Sequence, residues 1–266
     1  MTFSVVCYDR NQEAWGVGVA SKFLAVGSTV PWAKVSIGAI ATQAYANVSY
    51  GPRGLELLKS FSAGEVLNKL TSPDNLKERR QVAIVDRKGD VAAFTGSECN
   101  FYAGHITGDG FSVQGNILAG AEVLDAMASA MEGNGRIEER IMDALIKADQ
   151  KGGDRRGRQS AAIFIVSAKE TYEEGSERMV DLRIDNSEDP LGEMKWAMKN
   201  WKATFFDNEM VPFTETGKIR EKLDTLHFKT VEEWASMNNF SSKISGNMID
   251  QEVLDVLMGK GKPINR

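Results

Sequence analysis

Apolar residues predominate from the second residue of the chain onward, in short segments that have the length and composition of β-strands. Two such segments, residues 2–9 and 14–21, flank a short polar stretch and together predict an antiparallel hairpin. A turn centred on residues 11–12 pairs positions whose numbers sum to 23, which brings Thr2 opposite Ser21. One face of this hairpin carries glycines and other small residues, so we expect another layer of the protein to approach it closely.

The remaining pattern favours two antiparallel sheets with helical layers. A doubly wound parallel sheet would alternate strands with helices, whereas here several strands follow one another as hairpins. The predicted strands are residues 35–43, 81–86, 90–95, 111–117, 160–167 and 180–184. The predicted helices are residues 53–61, 63–70, 123–131, 137–148 and 191–205, and residues 21–34 are predicted to be a loop.

The composition changes near residue 207, where three short apolar stripes at helical spacing begin. These stripes lie at residues 219–226, 231–237 and 249–257. They predict a small all-helical module of residues 207–266 after a domain of residues 1–206. A module of this size has little core of its own, so we expect it to gain stability from contact with another surface.

Composition and charge exclude several classes of protein. The 266 residues carry a formal net charge of −5, which argues against nucleic acid as a main partner. The two cysteines form no disulfide framework and the two histidines lack cysteines at ligand spacing, so we expect a cytoplasmic protein with no metal or other cofactor. No apolar stretch approaches the roughly 20 residues that span a bilayer, so no membrane partner is expected.

Thr2 is the first candidate for chemistry. If Met1 is removed, Thr2 carries a hydroxyl group and a free α-amine, which together can act as nucleophile and base. Lys22 follows Ser21 in the predicted register and would favour the neutral form of that amine. The alternative is an ordinary edge strand that happens to begin with threonine, and the pattern leaves both open.

Two further polar positions invite a functional interpretation. Asn116 lies in a predicted strand, where its amide could donate to an oxyanion or simply satisfy the end of a sheet. The loop of residues 152–160 carries three arginines before an apolar strand. This loop is expected either to hold a carboxylate or phosphate through guanidinium contacts or to be a flexible turn with solvated charges.

Several longer motifs point to a known family. They include Thr2-Phe3-Ser4, Pro31-Trp32-Ala33, Tyr50-Gly51-Pro52-Arg53-Gly54, Val113-Gln114-Gly115-Asn116-Ile117-Leu118 and residues 20–27, 41–47 and 152–160. Over roughly residues 1–205 the chain resembles the Ntn-hydrolase-like family called domain of unknown function 1028. The resemblance implies an α+β fold, a four-layer αββα sandwich, with Thr2 at the position of the nucleophile. The C-terminal module resembles the peptidoglycan-binding-like domain that some members carry.

The residues and the resemblance together predict an N-terminal-nucleophile hydrolase that acts on a small amide or peptide-like substrate. The predicted catalytic residues are Thr2, Ser21, Lys22 and Asn116. The predicted substrate-binding residues are Asn47, Arg53, Gln114, Arg158, Gln159 and Ser160, of which the two arginines would orient an acidic group. The alternative is a non-catalytic protein that binds a muropeptide or an amino-acid derivative in the same cleft. A homodimer is expected, because two-fold pairing is the commonest soluble assembly.

Overall fold

A computed structural model describes residues 2–262, which form eight α-helices and three antiparallel sheets without a closed barrel. The strands are β1 (Thr2–Asp9), β2 (Ala14–Ser21), β3 (Pro31–Lys34), β4 (Gly38–Ala44), β5 (Arg80–Asp86), β6 (Val91–Thr95), β7 (Tyr102–Gly108), β8 (Phe111–Leu118), β9 (Ser160–Ser167), β10 (Arg178–Ile184), β11 (Met210–Pro212), β12 (Ile244–Ser245) and β13 (Met248–Asp250). The helices are α1 (Tyr50–Leu58), α2 (Ala63–Thr71), α3 (Glu122–Met131), α4 (Ile137–Gln150), α5 (Pro190–Phe205), α6 (Gly217–Thr225), α7 (Val231–Met237) and α8 (Gln251–Leu257). None of these helices is long and apolar enough to cross a membrane.

The largest sheet has six strands in the order β10-β9-β2-β1-β8-β7. The predicted hairpin register is confirmed, because Thr2 pairs with Ser21 and Tyr8 pairs with Trp15. The rings of Tyr8 and Trp15 stack with centroids 4.8 Å apart, and such a cross-strand pair contributes about 0.2–1 kcal/mol. Strand β1 is not an edge strand, because β8 pairs along its other side.

The two faces of this sheet pack against different elements. On one face the glycines of β2 leave room for α4, and a Cβ atom added to Gly18 would lie 2.3 Å from Ile141 Cγ2. The close approach expected from the small residues is therefore confirmed. On the other face, Val6, Val17 and Val19 join an apolar core with residues of β4 and β5.

The second sheet has four strands in the order β3-β4-β5-β6. Small side chains such as Ala41 and Ala83 face the first sheet, which lets the two sheets approach closely. The opposite face carries Ile40 and Ile84, which pack on apolar residues of α1 and α2. The expectation of two antiparallel sheets with helices against them is confirmed.

Two strands of the first unit were not predicted, and β4 begins at Gly38 rather than at residue 35. The predicted loop of residues 21–34 contains β3, and β7 was not predicted at all. Strand β3 has only four residues, too few to show a period of two, and β7 carries glycine at two of its seven positions. Helix α1 begins at Tyr50, three residues earlier than predicted.

Contacts divide the chain into two compact units, one ending at Met194 and the other beginning at Lys195. The division falls inside α5, whereas the sequence suggested a boundary between residues 206 and 207. The second unit is not all-helical, because β11, β13 and β12 form a small antiparallel sheet beside α6, α7 and α8. Strands of two or three residues leave no alternating pattern, and Ile249 lies in β13 rather than in the predicted third helix. Trp234, Leu223 and Val253 are buried in the core of this unit.

Candidate functional site

Four polar side chains form a row across one end of the six-stranded sheet. Asn116 on β8 pairs with Thr2 on β1, Thr2 pairs with Ser21 on β2, and Ser21 pairs with Ser160 on β9. Directly paired residues point to the same face, and here it is the face turned toward the four-stranded sheet. All four residues are buried, and Thr2 keeps 7% of its surface exposed. The fold thus brings together three of the predicted catalytic residues and one predicted binding residue.

The hydroxyl group of Thr2 lies against that of Ser21. Thr2 Oγ1 and Ser21 Oγ are 3.0 Å apart, and either oxygen can donate the hydrogen bond. Ser21 can therefore orient Thr2 Oγ1, but a neutral alcohol is too weak a base to remove its proton. A nucleophilic Thr2 needs another base, and its own α-amine is the nearest by covalent geometry. Met1, whose removal would free that amine, lies outside the described residues.

Gln43 of the opposite sheet holds the main chain of Thr2, and Gln81 holds Gln43. Gln43 Nε2 donates to Thr2 O over 3.3 Å and to Gln81 Oε1 over 2.7 Å. Gln81 Nε2 in turn donates to Thr95 Oγ1 and to the carbonyl oxygen of Gly115, over 3.0 and 2.8 Å. Buried amides left without partners cost about 1–3 kcal/mol each, so this network fixes the position of Thr2.

Both glutamines were missing from the predicted site. Gln43 and Gln81 pair with each other across β4 and β5 and are almost completely buried. The available signal was a glutamine at one end of each of two predicted strands that are mainly apolar. A buried amide in a strand requires a partner, but the sequence does not reveal that the partner lies on another sheet.

The amide of Asn116 is already engaged. Asn116 Nδ2 donates to Gln81 Oε1 over 3.1 Å and more weakly to Thr2 O over 3.5 Å. An amide nitrogen has two hydrogens, so donation to an oxyanion requires Asn116 to exchange one of these bonds. The longer bond, to Thr2 O, is the easier one to exchange.

The buried network reaches the surface at His105. Thr95 Oγ1 accepts a hydrogen bond from Gln81 and lies 2.9 Å from His105 Nδ1. A neutral His105 can accept the Thr95 proton at Nδ1, and partial burial of the ring lowers the pKa of His105, which favours this neutral form. Hydrogen bonds therefore connect an exposed histidine with the main chain of Thr2.

A buried carboxylate fastens the arginine-rich loop beside Ser21. Asp154 Oδ2 accepts hydrogen bonds from the main-chain N–H of Lys22 over 2.7 Å and from Arg156 Nη2 over 3.3 Å. Asp154 also forms a β-bridge with Leu118 at the end of β8. The ammonium group of Lys22 donates to the carbonyl oxygen of Arg158 over 3.1 Å. Asp154 was not among the predicted residues, although it is the acidic residue within the arginine-rich loop.

Two predicted binding residues are completely buried. Gln114 Nε2 donates to the carbonyl oxygen of Ala41 over 3.0 Å and to Ser4 Oγ over 3.3 Å, which ties the two sheets together. Ser160 Oγ donates to the carbonyl oxygen of Phe23 over 2.5 Å. These contacts fix neighbouring backbone and leave the two side chains beneath the surface.

The other predicted binding residues are more accessible but are not gathered at one point. Arg158 pairs with Asp149 over 2.7 Å, which raises the pKa of the guanidinium. Gln159 Nε2 donates to Asn186 Oδ1 over 3.1 Å. Arg53 is exposed on α1.

Asn47 belongs to a separate cluster around Asp74. The carboxylate of Asp74 accepts from Arg80 Nε over 2.6 Å, from the Tyr50 hydroxyl over 2.7 Å and from Asn47 Nδ2 over 3.4 Å. The hydrogen bond from Arg80 is the main reason that the pKa of Asp74 lies well below its usual range. Burial, with the neighbouring carboxylate, raises the pKa of Tyr50. The cluster fixes the loop after β4 next to Gln81.

Within residues 2–262, no three His, Cys, Asp or Glu side chains are grouped so that they could hold a metal ion.

Comparison with known proteins gives one family. A model described as a family of unknown function, DUF1028, matches residues 2–194, and the match ends at the residue where the first compact unit ends. The crystal structure of protein SPO2555 from Silicibacter pomeroyi, assigned to the same family, is similar to this chain with a TM-score of 0.69. The two are 30% identical, and the alignment covers 76% of this chain and 86% of SPO2555. No curated protein matches the chain.

Proposed function

We propose, for a chain that belongs to the DUF1028 family, that Thr2 hydrolyses an amide bond as an N-terminal nucleophile. The observation that carries this proposal is the 3.0 Å contact between Thr2 Oγ1 and Ser21 Oγ at the end of the space between the sheets. The proposal includes a four-layer αββα sandwich of the Ntn-hydrolase kind. The helix pairs against the outer faces of the two sheets support it.

The proposed reaction needs only groups of Thr2 and water. Once the preceding residue is removed, Thr2 Oγ1 attacks the amide carbonyl carbon while its proton passes to the Thr2 α-amine. The resulting ammonium gives that proton to the leaving amine as the C–N bond breaks, which leaves an ester on Thr2. Water then attacks the ester with the α-amine as base, releasing the acid and restoring the hydroxyl group.

The neighbouring residues take positioning and electrostatic roles in this proposal. Ser21 orients Thr2 Oγ1, and Gln43 with Gln81 fixes the main chain that carries both the hydroxyl and the amine. Asn116 stabilises the oxyanion by exchanging its 3.5 Å bond to Thr2 O for one to the substrate. Lys22 adds positive charge near the strand end and so favours the neutral amine.

A second candidate function is ligand binding without turnover. The observation that favours it is the burial of Thr2, which is 7% exposed and whose hydroxyl group is already hydrogen-bonded to Ser21. In this case the cleft would hold a muropeptide or an amino-acid derivative, and the second unit would act as a peptidoglycan-binding-like module. Turnover separates the two functions, because binding does not require a nucleophile.

The first experiment is intact-protein mass spectrometry on protein purified from its native host. The hydrolase proposal expects a chain that begins at Thr2. A chain that retains Met1, or any other residue before Thr2, would rule out this mechanism because the amine would be part of a peptide bond.

The second experiment measures hydrolysis of a panel of aminocoumarin amides by three forms of the full chain. Thr2→Ser keeps a hydroxyl group and should keep measurable turnover, whereas Thr2→Ala should lower kcat/KM by at least about a thousandfold. Trapping with acid during turnover should give an acyl adduct on the peptide that begins at Thr2. Equal rates for the parent chain and Thr2→Ala would show that Thr2 is not the nucleophile.

A further inference from the structure

The exposed apolar side chains of the first unit are concentrated at the end that carries Thr2. Among the described residues up to Met194, eight large hydrophobic side chains are exposed, and seven of them lie on or beside loops at this end. They include Phe23, Tyr45, Phe101 and Tyr102, with exposed fractions between 42% and 71%. Exposed apolar side chains gathered in one place mark a binding surface rather than ordinary surface.

Five chain segments form this surface, which we call the rim: residues 22–30, 45–48, 76–79, 96–102 and 153–158. Each segment adjoins a strand that ends at the level of the polar row. The segments come from both sheets, so the rim runs around the end of the two sheets at which Thr2 lies.

Contacts join the five segments into a closed ring. Residues 45–48 and 76–79 are joined by the hydrogen bond from Tyr45 N to Arg79 O (3.1 Å), and residues 96–102 join the latter through Glu98 N and Glu78 O (2.7 Å). The Arg155 guanidinium, 5.4 Å from the Phe101 ring centroid, joins residues 153–158 to residues 96–102. Lys22 N donates to Asp154 Oδ2 over 2.7 Å, which joins residues 22–30 to residues 153–158. Thr42 closes the ring, because its main-chain N–H donates to Val30 O and its hydroxyl to Asn47 O, both over 3.2 Å. The rim is therefore a connected structure around Thr2 and not a set of unrelated loops.

An aromatic ring stacked by a guanidinium lies in the rim beside each of the two sheets. Arg79 lies 4.4 Å from the ring centroid of Tyr45, which follows β4 of the four-stranded sheet. Arg155 lies over Phe101, whose segment is hydrogen-bonded to β8 of the six-stranded sheet through Asn100 O and Ile117 N. A stacked guanidinium keeps its charge and the N–H groups on its edge, which match a carboxylate.

We propose that the rim binds a short peptide with an apolar side chain on each side of the amide held at Thr2 and with a free carboxylate. Apolar surface on both sides of Thr2 matches two apolar side chains, and the guanidinium edges match the carboxylate. That the peptide is cleaved rests on the function proposed above, whereas its binding does not.

The test is isothermal titration of the full chain carrying Thr2→Ala, in which cleavage by Thr2 cannot interfere. The probe is the dipeptide N-acetyl-Phe-Leu as the free acid. Two matched probes are N-acetyl-Phe-Leu amide, which lacks the carboxylate, and N-acetyl-Ser-Ser, which lacks the apolar side chains. The free acid of N-acetyl-Phe-Leu should bind, and each matched probe should bind at least tenfold more weakly.

Exposed residues supply variants that leave the core intact. Phe101→Ser and Tyr45→Ser should each weaken binding of N-acetyl-Phe-Leu at least tenfold. Phe61→Ser is the matched control, because Phe61 is the exposed apolar residue of this unit away from the rim, between α1 and α2. Arg79→Gln should reduce the preference for the free acid over the amide.

Several outcomes would overturn the proposal. They are absence of binding by the folded chain, equal affinity for N-acetyl-Ser-Ser, and an effect of Phe61→Ser equal to that of Phe101→Ser. Self-association that Phe101→Ser abolishes, without dipeptide binding, would identify the rim as a contact between copies of the chain. If the peptide binds at the rim but a chain that begins at Thr2 shows no turnover, the rim proposal stands and the hydrolase proposal is refuted. Hydrolysis at a rate that the rim substitutions leave unchanged would support the hydrolase and contradict the rim as its peptide-binding surface.

Discussion

Replacing Gln43 by methionine should loosen the middle of the six-stranded sheet. Gln43 is 1% exposed and takes part in three hydrogen bonds, to Thr2 O, to Gln81 Oε1 and from Ser4 Oγ. Methionine fills a similar volume but makes none of these bonds. Because each bond contributes about 0.5–1.5 kcal/mol net, the free energy of opening around β1 should fall by roughly 2–4 kcal/mol.

Hydrogen exchange measured by mass spectrometry can locate this change within the chain. A loss of roughly 2–4 kcal/mol corresponds to about 30- to 1,000-fold faster exchange for amides of residues 2–21. Peptides from α6 and α7 in the second unit serve as an internal control and should exchange as in the parent chain. Gln159→Met is the matched variant, because this half-exposed amide makes a single bond to Asn186, and it should change exchange by less than about threefold.

The comparison between the two glutamine variants tests whether the buried amide of Gln43 holds β1. If Gln43→Met accelerates exchange in residues 2–21 no more than Gln159→Met does, the buried amides do not hold β1. The positioning role given to Gln43 would then have to be abandoned, whatever the activity of the chain.

Three further predictions concern packing, pH and the second unit. Gly18→Ala places a Cβ 2.3 Å from Ile141 Cγ2 and should lower the free energy of unfolding by about 1–3 kcal/mol. Gly64→Ala in α2, where no atom lies within 4 Å, should raise it by about 0.5–1 kcal/mol. Equal melting temperatures for the two variants would contradict the close packing of α4 on β2. Because the folded pKa of Asp74 is depressed, its contribution is present above the unfolded value of about 4 and is lost as pH falls through the folded value. Urea denaturation should therefore find Asp74→Asn less stable than the parent chain at pH 7, with the difference shrinking below about pH 4, and a constant difference would contradict it. Trp234→Ala removes a buried ring and should lower the stability of the second unit by about 3–5 kcal/mol. Proteolysis of residues 217–257 should therefore be faster, and an unchanged rate would contradict a core built around Trp234.

The sequence predicts the hairpin of β1 and β2 well because several local signals agree there. The polar turn, the aromatic pair Tyr8–Trp15 and the small residues of β2 all require the same register. Agreement between local signals is what makes a segment predictable. The short strands β3 and β12 offer no such agreement, because four and two residues are too few for a period to show.

The candidate site was only half predictable, for a geometric reason. Thr2 and Ser21 are found from the hairpin register, since strand pairing is a local rule. Gln43 contacts Thr2, with Gln81 behind it, only because one sheet packs face to face on another. No local pattern specifies which residues of two stacked sheets will lie opposite one another. Asp154 was missed for a related reason, because its contacts run to the ends of β2 and β8, both distant in sequence.

The central place of β1 has a consequence for synthesis in the cell. Thr2 pairs with Ser21 on one side and with Asn116 on the other, and Asn116 lies 114 residues after Thr2 in the sequence. At about 5–20 residues per second, the ribosome needs roughly 5–20 s between these two partners. During that interval the hairpin can form while the far side of β1 presents unpaired N–H and C=O groups to any neighbouring strand. Aggregation during expression should therefore depend on the translation rate over residues 22–118 and on chaperones that cover a nascent sheet edge.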